Sequence, residues 1–290
     1  MSSLKILFLT SLAMLAFAGN SILCRMALEE TSIDAMSFTS IRLVSGALSL
    51  WLIIRLTSNT QKGQGNWVSA SALFIYAAGF SFAYINIPTA TGALILFSSV
   101  QITMIIYGFQ IGERLIIKQV IGLVMAFIGL IILLFPGLSA PPIASTTLML
   151  VSGIAWGIYS LLGKRSGDAT QITTGNFLRT IPITLFFSLA MFANIKLDTQ
   201  GAMLAIASGA LASGFGYAIW YAVLPALKSA SAATIQLSVP VIAAVGGIIF
   251  LGEVISIRLV VATLAILGGI TLVVTVKGKA SRSERPNLSD

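Results

Sequence analysis

The chain predicts an all-α polytopic membrane protein whose ten transmembrane helices form two inverted five-helix repeats. Three observations carry this. Of its 290 residues, 57% are hydrophobic and 9% charged, with a mean hydropathy of +0.99, whereas soluble domains carry roughly 25% charged residues. The apolar residues fall into ten long runs, and a helix needs about 20 mostly apolar residues to span a bilayer. Finally, residues 90–135 recur without a gap at 230–275, and internal repeats decide the architecture before any single motif does.

The runs cover about residues 4–27, 33–56, 67–87, 89–111, 115–135, 144–163, 171–194, 201–224, 229–251 and 257–276. Between them stand charges and turn formers: Glu29-Glu30, Lys62 to Gly65, Pro88, Gly112 to Arg114, Pro136-Gly137 with Pro141-Pro142, Lys164 to Asp168, Lys196 to Asp198, Pro225 and Gly252-Glu253. These are the expected punctuators of helix ends. Pro182 and Pro240 fall inside the seventh and ninth runs, where a membrane bundle tolerates a kink. The first run, with Lys5 at its start, imitates a signal peptide. At some 24 residues it is longer than a signal's apolar region, lacks a clear cleavage site and opens a series.

The two copies of the repeat share ten identities over 46 positions: Ala90/Ala230, Ala93/Ala233, Ile95/Ile235, Ser98/Ser238, Ile102/Ile242, Gly112/Gly252, Glu113/Glu253, Ile117/Ile257, Val120/Val260 and Gly129/Gly269. The Gly-Glu pair is the most telling, since in each copy it separates two apolar runs five residues before a basic one, Lys118 or Arg258. The predicted units are residues 1–137, residues 138–277 and a polar cytoplasmic tail, 278–290. Five runs per half make the second half cross in the opposite sense, an organisation that recurs in secondary transporters.

Charge placement sets the orientation. With the N-terminus inside, twelve of the 17 Lys and Arg residues fall on inner segments, three (Arg25, Lys196, Arg258) at outer ends, and Arg42 and Arg179 within runs two and seven. Both termini are thus expected in the cytoplasm, and the net charge of +8 is a topology signal rather than a nucleic-acid surface. The tail can touch anionic lipid. The partners implied are lipid and a small-molecule substrate, with no obligatory protein partner evident.

The chemistry is limited by what is missing. There is no histidine, and Cys24 is the single cysteine, which removes the usual nucleophile, metal and proton-relay motifs. No cofactor or metal is expected, nor an enzyme. All nine acids lie in predicted loops, tails or helix ends, so transport is expected to be facilitated diffusion or exchange, with Glu113 and Glu253 the acids to reconsider if they reach deeper. The structural alternative makes those two helix-end caps or partners of Lys118 and Arg258.

Polar side chains at membrane depth usually face a cavity. The candidates are Asn20 in the first run; Tyr76, Phe80 and Tyr84 at i, i+4, i+8 in the third; Ser98 and Gln101 in the fourth; Trp156 and Tyr159 in the sixth; Trp220, with Tyr217 and Tyr221, in the eighth; and Gln236 in the ninth. Amides suit both ends of a zwitterion and aromatic walls suit a planar side chain. Arg42 and Arg179 could neutralise a carboxylate or phosphate. The bland alternatives are interhelical bonds for the amides, core filling for the rings, and snorkelling for the arginines. Glycines such as Gly209, Gly122, Gly129, Gly246-Gly247 and Gly268-Gly269 are read as close-packing positions.

These residues resemble the drug/metabolite transporter superfamily in its EamA-type ten-helix branch. The resemblance covers nearly the whole chain and rests on the repeat, Gly112-Glu113 and Gly252-Glu253, Trp156-Gly157 opposite Ala18-Gly19, and the aromatic–arginine pairs Phe38/Arg42 and Phe177/Arg179. Ala18 departs from a common tryptophan, and Ser98 to Gln101 from a common proline, kept only as Pro240. Within the family the chain looks most like bacterial aromatic amino acid exporters of the inner membrane, which implies aromatic and other neutral amino acids moving outward. A broad-specificity exporter, a proton-coupled antiporter and a channel are the rivals.

Overall fold

A bilayer offers no water to a bare peptide group, so a spanning chain satisfies its backbone internally. The computed structural model describes residues 3–56, 65–110, 112, 116–135, 140–163, 168–223, 226–227 and 235–275. Among them the secondary structure is entirely helical: α1 (Ser3–Glu30), α2 (Ala35–Leu56), α3 (Trp67–Tyr84), α4 (Thr89–Gln110), α5 (Ile117–Leu134), α6 (Ile143–Leu162), α7 (Ala169–Ala190), a 3₁₀ turn (Phe192–Asn194), α8 (Thr199–Ala207), a π-helical segment (Ser208–Phe215), α9 (Gly216–Val223), α10 (Ser238–Leu251) and α11 (Ile257–Thr275). The protein is a multi-pass membrane protein.

Seven of these rods are long and apolar enough to cross a bilayer: α1 to α6, and the continuous rod from Thr199 to Trp220. The other three predicted spans differ in composition or length. α7 carries Gln171, Thr173, Thr174, Asn176, Thr180 and Thr184, all buried, so its polarity faces protein. α10 is described over Ser238–Leu251 and with α11 makes the two shorter apolar helices, while residues 229–234 of the predicted ninth span lie outside the described residues. Pro240 therefore stands in a first helical turn, where its missing N–H costs nothing, while Pro182 does lie inside α7.

α1 runs through the middle of the bundle, touching α8, the π segment, α9 and α10. Around it α2 packs on α7 and the π segment, α6 on α3 and α4, and α5 lies along α11. Small residues set these approaches. A Cβ on Gly122 would stand 2.5 Å from the Gly269 carbonyl oxygen, and one on Gly129 2.8 Å from Ala265 Cβ. Gly246 packs on Ile22 and Gly247 on Glu253 and Thr89, so these two meet α1 and α4. Large apolar side chains such as Phe8, Leu48, Phe127, Phe186 and Leu264 point outward, as a lipid-facing surface requires.

One asparagine and three aspartates cap helix N-termini among the described residues. Asn66 Oδ1 accepts from Ser69 N at 2.8 Å, Asp168 Oδ1 from Thr170 N at 2.9 Å, and Asp198 Oδ1 from Gly201 N at 2.8 Å. Asp34 caps α2 through Met36 N and Ser37 N, both 2.9 Å, and its Oδ2 accepts from Lys196 N at 2.8 Å. It thereby ties the α1–α2 loop to the one before α8. Glu113, Lys62 to Gln64, Lys164 to Gly167, Pro136-Gly137, Pro225, Lys228 and residues 276–290 lie outside the described residues.

Burial would raise the Asp34 carboxyl, but its hydrogen bonds from Ser37, Lys196 and Met36 outweigh that and hold it below the ordinary carboxylate value. The stabilisation is present above that ordinary value and is lost as pH falls through the lowered one. Thermal unfolding in detergent should lose stability on the acid side, and Asp34→Asn should lower the transition at neutral pH while shrinking the acid-dependent part.

Candidate functional site

The 3.6-residue period of α3 puts Tyr76, Phe80 and Tyr84 on one face, and their rings touch in sequence, with centroids 5.5 and 4.6 Å apart. Tyr76 also lies 4.8 Å from Trp156 of α6, which stacks on Tyr159 at 5.4 Å and on Tyr217 of α9 at 5.1 Å. Phe17 of α1 meets Tyr217 and Trp220 edge-on, at 5.7 and 6.0 Å. Inside this aromatic box is a cavity of about 20 Å³, lined by Phe17, Asn20, Ser21, Tyr76, Phe80, Leu96, Phe97, Trp156, Ala212, Ser213 and Tyr217. That is room for about one water molecule, so a larger cargo enters only when the helices part.

The polar groups converge on one atom. Ser208 Oγ donates to Asn20 Oδ1 at 2.6 Å, which aims the amide nitrogen of Asn20 at the Tyr76 hydroxyl oxygen, 3.2 Å away. Arg42 Nη2 donates to the same oxygen at 3.0 Å. The guanidinium lies over the rings of Phe80 and Tyr76, 4.9 and 5.3 Å from their centroids, a favourable placement for a desolvated cation. Arg42 is only 1% exposed, so it does not snorkel. Its Nε and Nη1 have no hydrogen-bond partner, nor does the buried Ser213 hydroxyl. Among the described residues no carboxylate lies within ion-pairing distance of Arg42.

The close fit behind Arg42 comes from the π segment. A Cβ on Gly209 would collide with Ser45 Oγ and the Arg42 carbonyl, and one on Gly214 with Ser49 Oγ. Ser208-Gly209 recurs five residues on as Ser213-Gly214, the spacing of an i→i+5 helix, and such segments often mark functional sites. Ser208 and Ser213 were not among the predicted site residues. The recurrence was visible in the sequence, but the α-helical period hides it.

Other predicted site residues lie elsewhere. Ser98 and Gln101 are buried but line a small crevice against α5 and α11 with Ile102, Leu123, Ala126 and Ile270. Ser98 Oγ donates to its own helix at Leu94 O, 2.6 Å away. Gln236 is half-buried just before α10 and away from the cavity lining. Tyr84 is buried at the far end of α3, donating to Thr89 O at 3.2 Å. Tyr159 and Trp220 back the cavity wall through Trp156 and Phe17. Arg179 donates to Gly175 O at 2.9 Å, close to Gly65 at the start of α3, and does not face Arg42 across the cavity. Tyr221's side chain is outside the described residues.

The EamA-like transporter family matches the chain twice, over residues 4–135 and 144–275. The chain belongs to the EamA-like transporter family. It is a membrane transporter, not an enzyme. An uncharacterised protein of Pseudomonas aeruginosa is 50% identical over 280 residues, covering 96% of this chain and 98% of that one. A Salmonella typhimurium protein named "probable amino-acid metabolite efflux pump" is 24% identical over 200 residues, 64% of this chain and 67% of its own. A solved crystal structure shares the fold, with a TM-score of 0.66 at 15% identity over 94% of this chain and 98% of that one.

Gly209→Ala should overpack the α2–π contact and cost about 1–3 kcal/mol, seen as a lower thermal transition in detergent. A Cβ on Gly19 meets nothing within 4 Å, so Gly19→Ala should hold or raise the transition by up to about 1 kcal/mol of helix propensity.

Proposed function

We propose that this transporter exports aromatic and other neutral amino acids from a bacterial cytoplasm by facilitated diffusion. Ten spans in two inverted halves alternate access to the central cavity, with both termini cytoplasmic. The observation that carries the cargo is Arg42, a buried guanidinium with two bare nitrogens against an aromatic box. A buried cation without a counter-ion is expensive, and a carboxylate supplied by the cargo removes that expense. The Tyr76 hydroxyl, accepting from both Arg42 and Asn20, stands where one carboxylate oxygen would sit between those donors. Trp156, Phe80 and Phe17 then offer faces to a planar side chain, and the Ser213 hydroxyl is left to accept from the ammonium.

The distant relatives named as amino-acid efflux pumps support the same cargo class. The inverted halves are supported by the double family match and by the left-handed glycines that recur at both Gly-Glu pairs, Gly112 at φ +90° and Gly252 at φ +62°. Arg25 and Lys196 fall at one end of the bundle and Lys5 at the other, in line with the proposed orientation.

Purified protein in liposomes should take up labelled tryptophan saturably, in competition with phenylalanine and indifferently to a proton gradient. Arg42→Gln should cut that flux by about a hundredfold, since truncating one partner of a buried charged pair costs about 2–5 kcal/mol. Flux that follows the proton gradient would contradict facilitated diffusion, and no tryptophan flux from folded protein would contradict the cargo.

A further inference from the structure

Glu253 sits at the end of the bundle opposite the N-terminus of α1. Gly252, at φ +62°, takes the left-handed turn that glycine accepts freely, and the chain turns back so that Glu253 N bonds Gly247 O at 3.1 Å. The Glu253 side chain then folds inward. Its Oε1 accepts from Thr89 N at 2.7 Å and Thr89 Oγ1 at 2.8 Å, capping α4, and lies 3.8 Å from Arg25 Nε of α1. Its Oε2 occupies the niche left by Gly247, where a Cβ would stand 2.5 Å from it. Arg25 in turn donates to Tyr84 O and Ile85 O, both at 2.8 Å, and pairs with Glu29 at 2.8 Å. One carboxylate thus joins α1, α4 and α10, and reaches α3 through Arg25. The expected partner, Arg258, is engaged elsewhere, with Phe135 O at 2.8 Å.

Two features separate this cluster from a permanent helix cap. The Glu253 and Arg25 side chains are only 12% and 11% exposed, yet Oε2 and Arg25 Nε are buried without a hydrogen-bond partner. A fixed cap satisfies its buried atoms, whereas a partly satisfied network is a cheap place to break. The cluster also separates two spaces. On one side, α1 leads through Cys24 to Asn20 and the central cavity; on the other lies a vestibule of about 280 Å³, lined by Glu253, Arg258, Asn86 and Pro88 among others.

We propose that Glu253 is the positioning residue of a gate at this end, holding the cavity closed toward the vestibule until it releases Arg25 and Thr89. In the proposed orientation this is the outer gate. The inference rests on the alternating-access and orientation parts of the proposed function and not on the cargo.

Cys24 reports on the gate. It is the only cysteine in the chain and is fully buried, next to Arg25 and one turn beyond Asn20. In right-side-out vesicles a membrane-impermeant maleimide should label it slowly in the wild type. Glu253→Gln, Gly247→Ala and the milder Thr89→Ala should each label at least about tenfold faster, the scale expected for losing a charge-assisted bond, with unchanged gel-filtration profiles. An unchanged rate in folded Glu253→Gln and Thr89→Ala protein overturns the gate. If Glu253→Gln does not fold, the Thr89→Ala rate decides in the same way. Because labelling is read without amino acid present, a missing tryptophan flux counts against the cargo, and unaltered labelling counts against the gate.

Discussion

A buried cation with no carboxylate beside it among the described residues is the constraint around which this bundle is arranged. Arg42 is tolerable where it stands because two aromatic faces cover it and one hydroxyl oxygen accepts from it. Each of those supports has its own support. Tyr76 and Phe80 are placed by the α-helical period of α3. The hydroxyl of Tyr76 faces a second donor, Asn20, whose amide is fixed by Ser208. The backbone of α2 reaches this position only because Gly209 leaves no side chain against the Arg42 carbonyl. Donors therefore point toward one small region from two helices, which is a poor arrangement for static packing and a good one for receiving an anion.

The site and the closed end share one physical style. Buried polar atoms are left short of partners at Arg42, Ser213, Arg25 and Glu253, and singly at Thr10, Thr146, Gln171 and Thr184, while other buried polar groups follow the usual rule and are bonded. Ser81, Ser152 and Thr180, for example, all donate to backbone carbonyls. Shortfall at a few places makes alternative arrangements close in free energy, and a carrier needs two such arrangements. Small residues supply the complementary property, since contacts between Gly122 and Gly269 bring backbones together without interlocked side chains.

Much of this was legible in the sequence, for reasons that also show where legibility ended. Apolar runs locate helices because the bilayer imposes their length, and the aromatic column of α3 follows from spacing alone. Spacing does not say which polar face of a mixed helix meets the cavity, so Gln101 was grouped with Asn20 although it turns toward α5 and α11. Arg42 and Arg179 look alike in sequence, yet one sits in the core and the other bonds its own backbone beside the start of α3. A five-residue recurrence of Ser-Gly has meaning only in a π helix, and an α-helical reading scattered it. The partner of Glu253 depended on a turn that only coordinates reveal. The polarity of α7 likewise reflects burial against protein, which hydropathy does not register.

The central claim is that Arg42 awaits a carboxylate. Calorimetric titration of the purified protein with tryptophan, indole-3-propionate and tryptamine tests it most directly, because these share a ring and differ only in the ends they carry. The account predicts heat of binding for tryptophan and weaker binding for indole-3-propionate, none for tryptamine, and loss of tryptophan binding in Arg42→Gln. Tryptamine binding as tightly as tryptophan, or an undiminished affinity in Arg42→Gln, would contradict it.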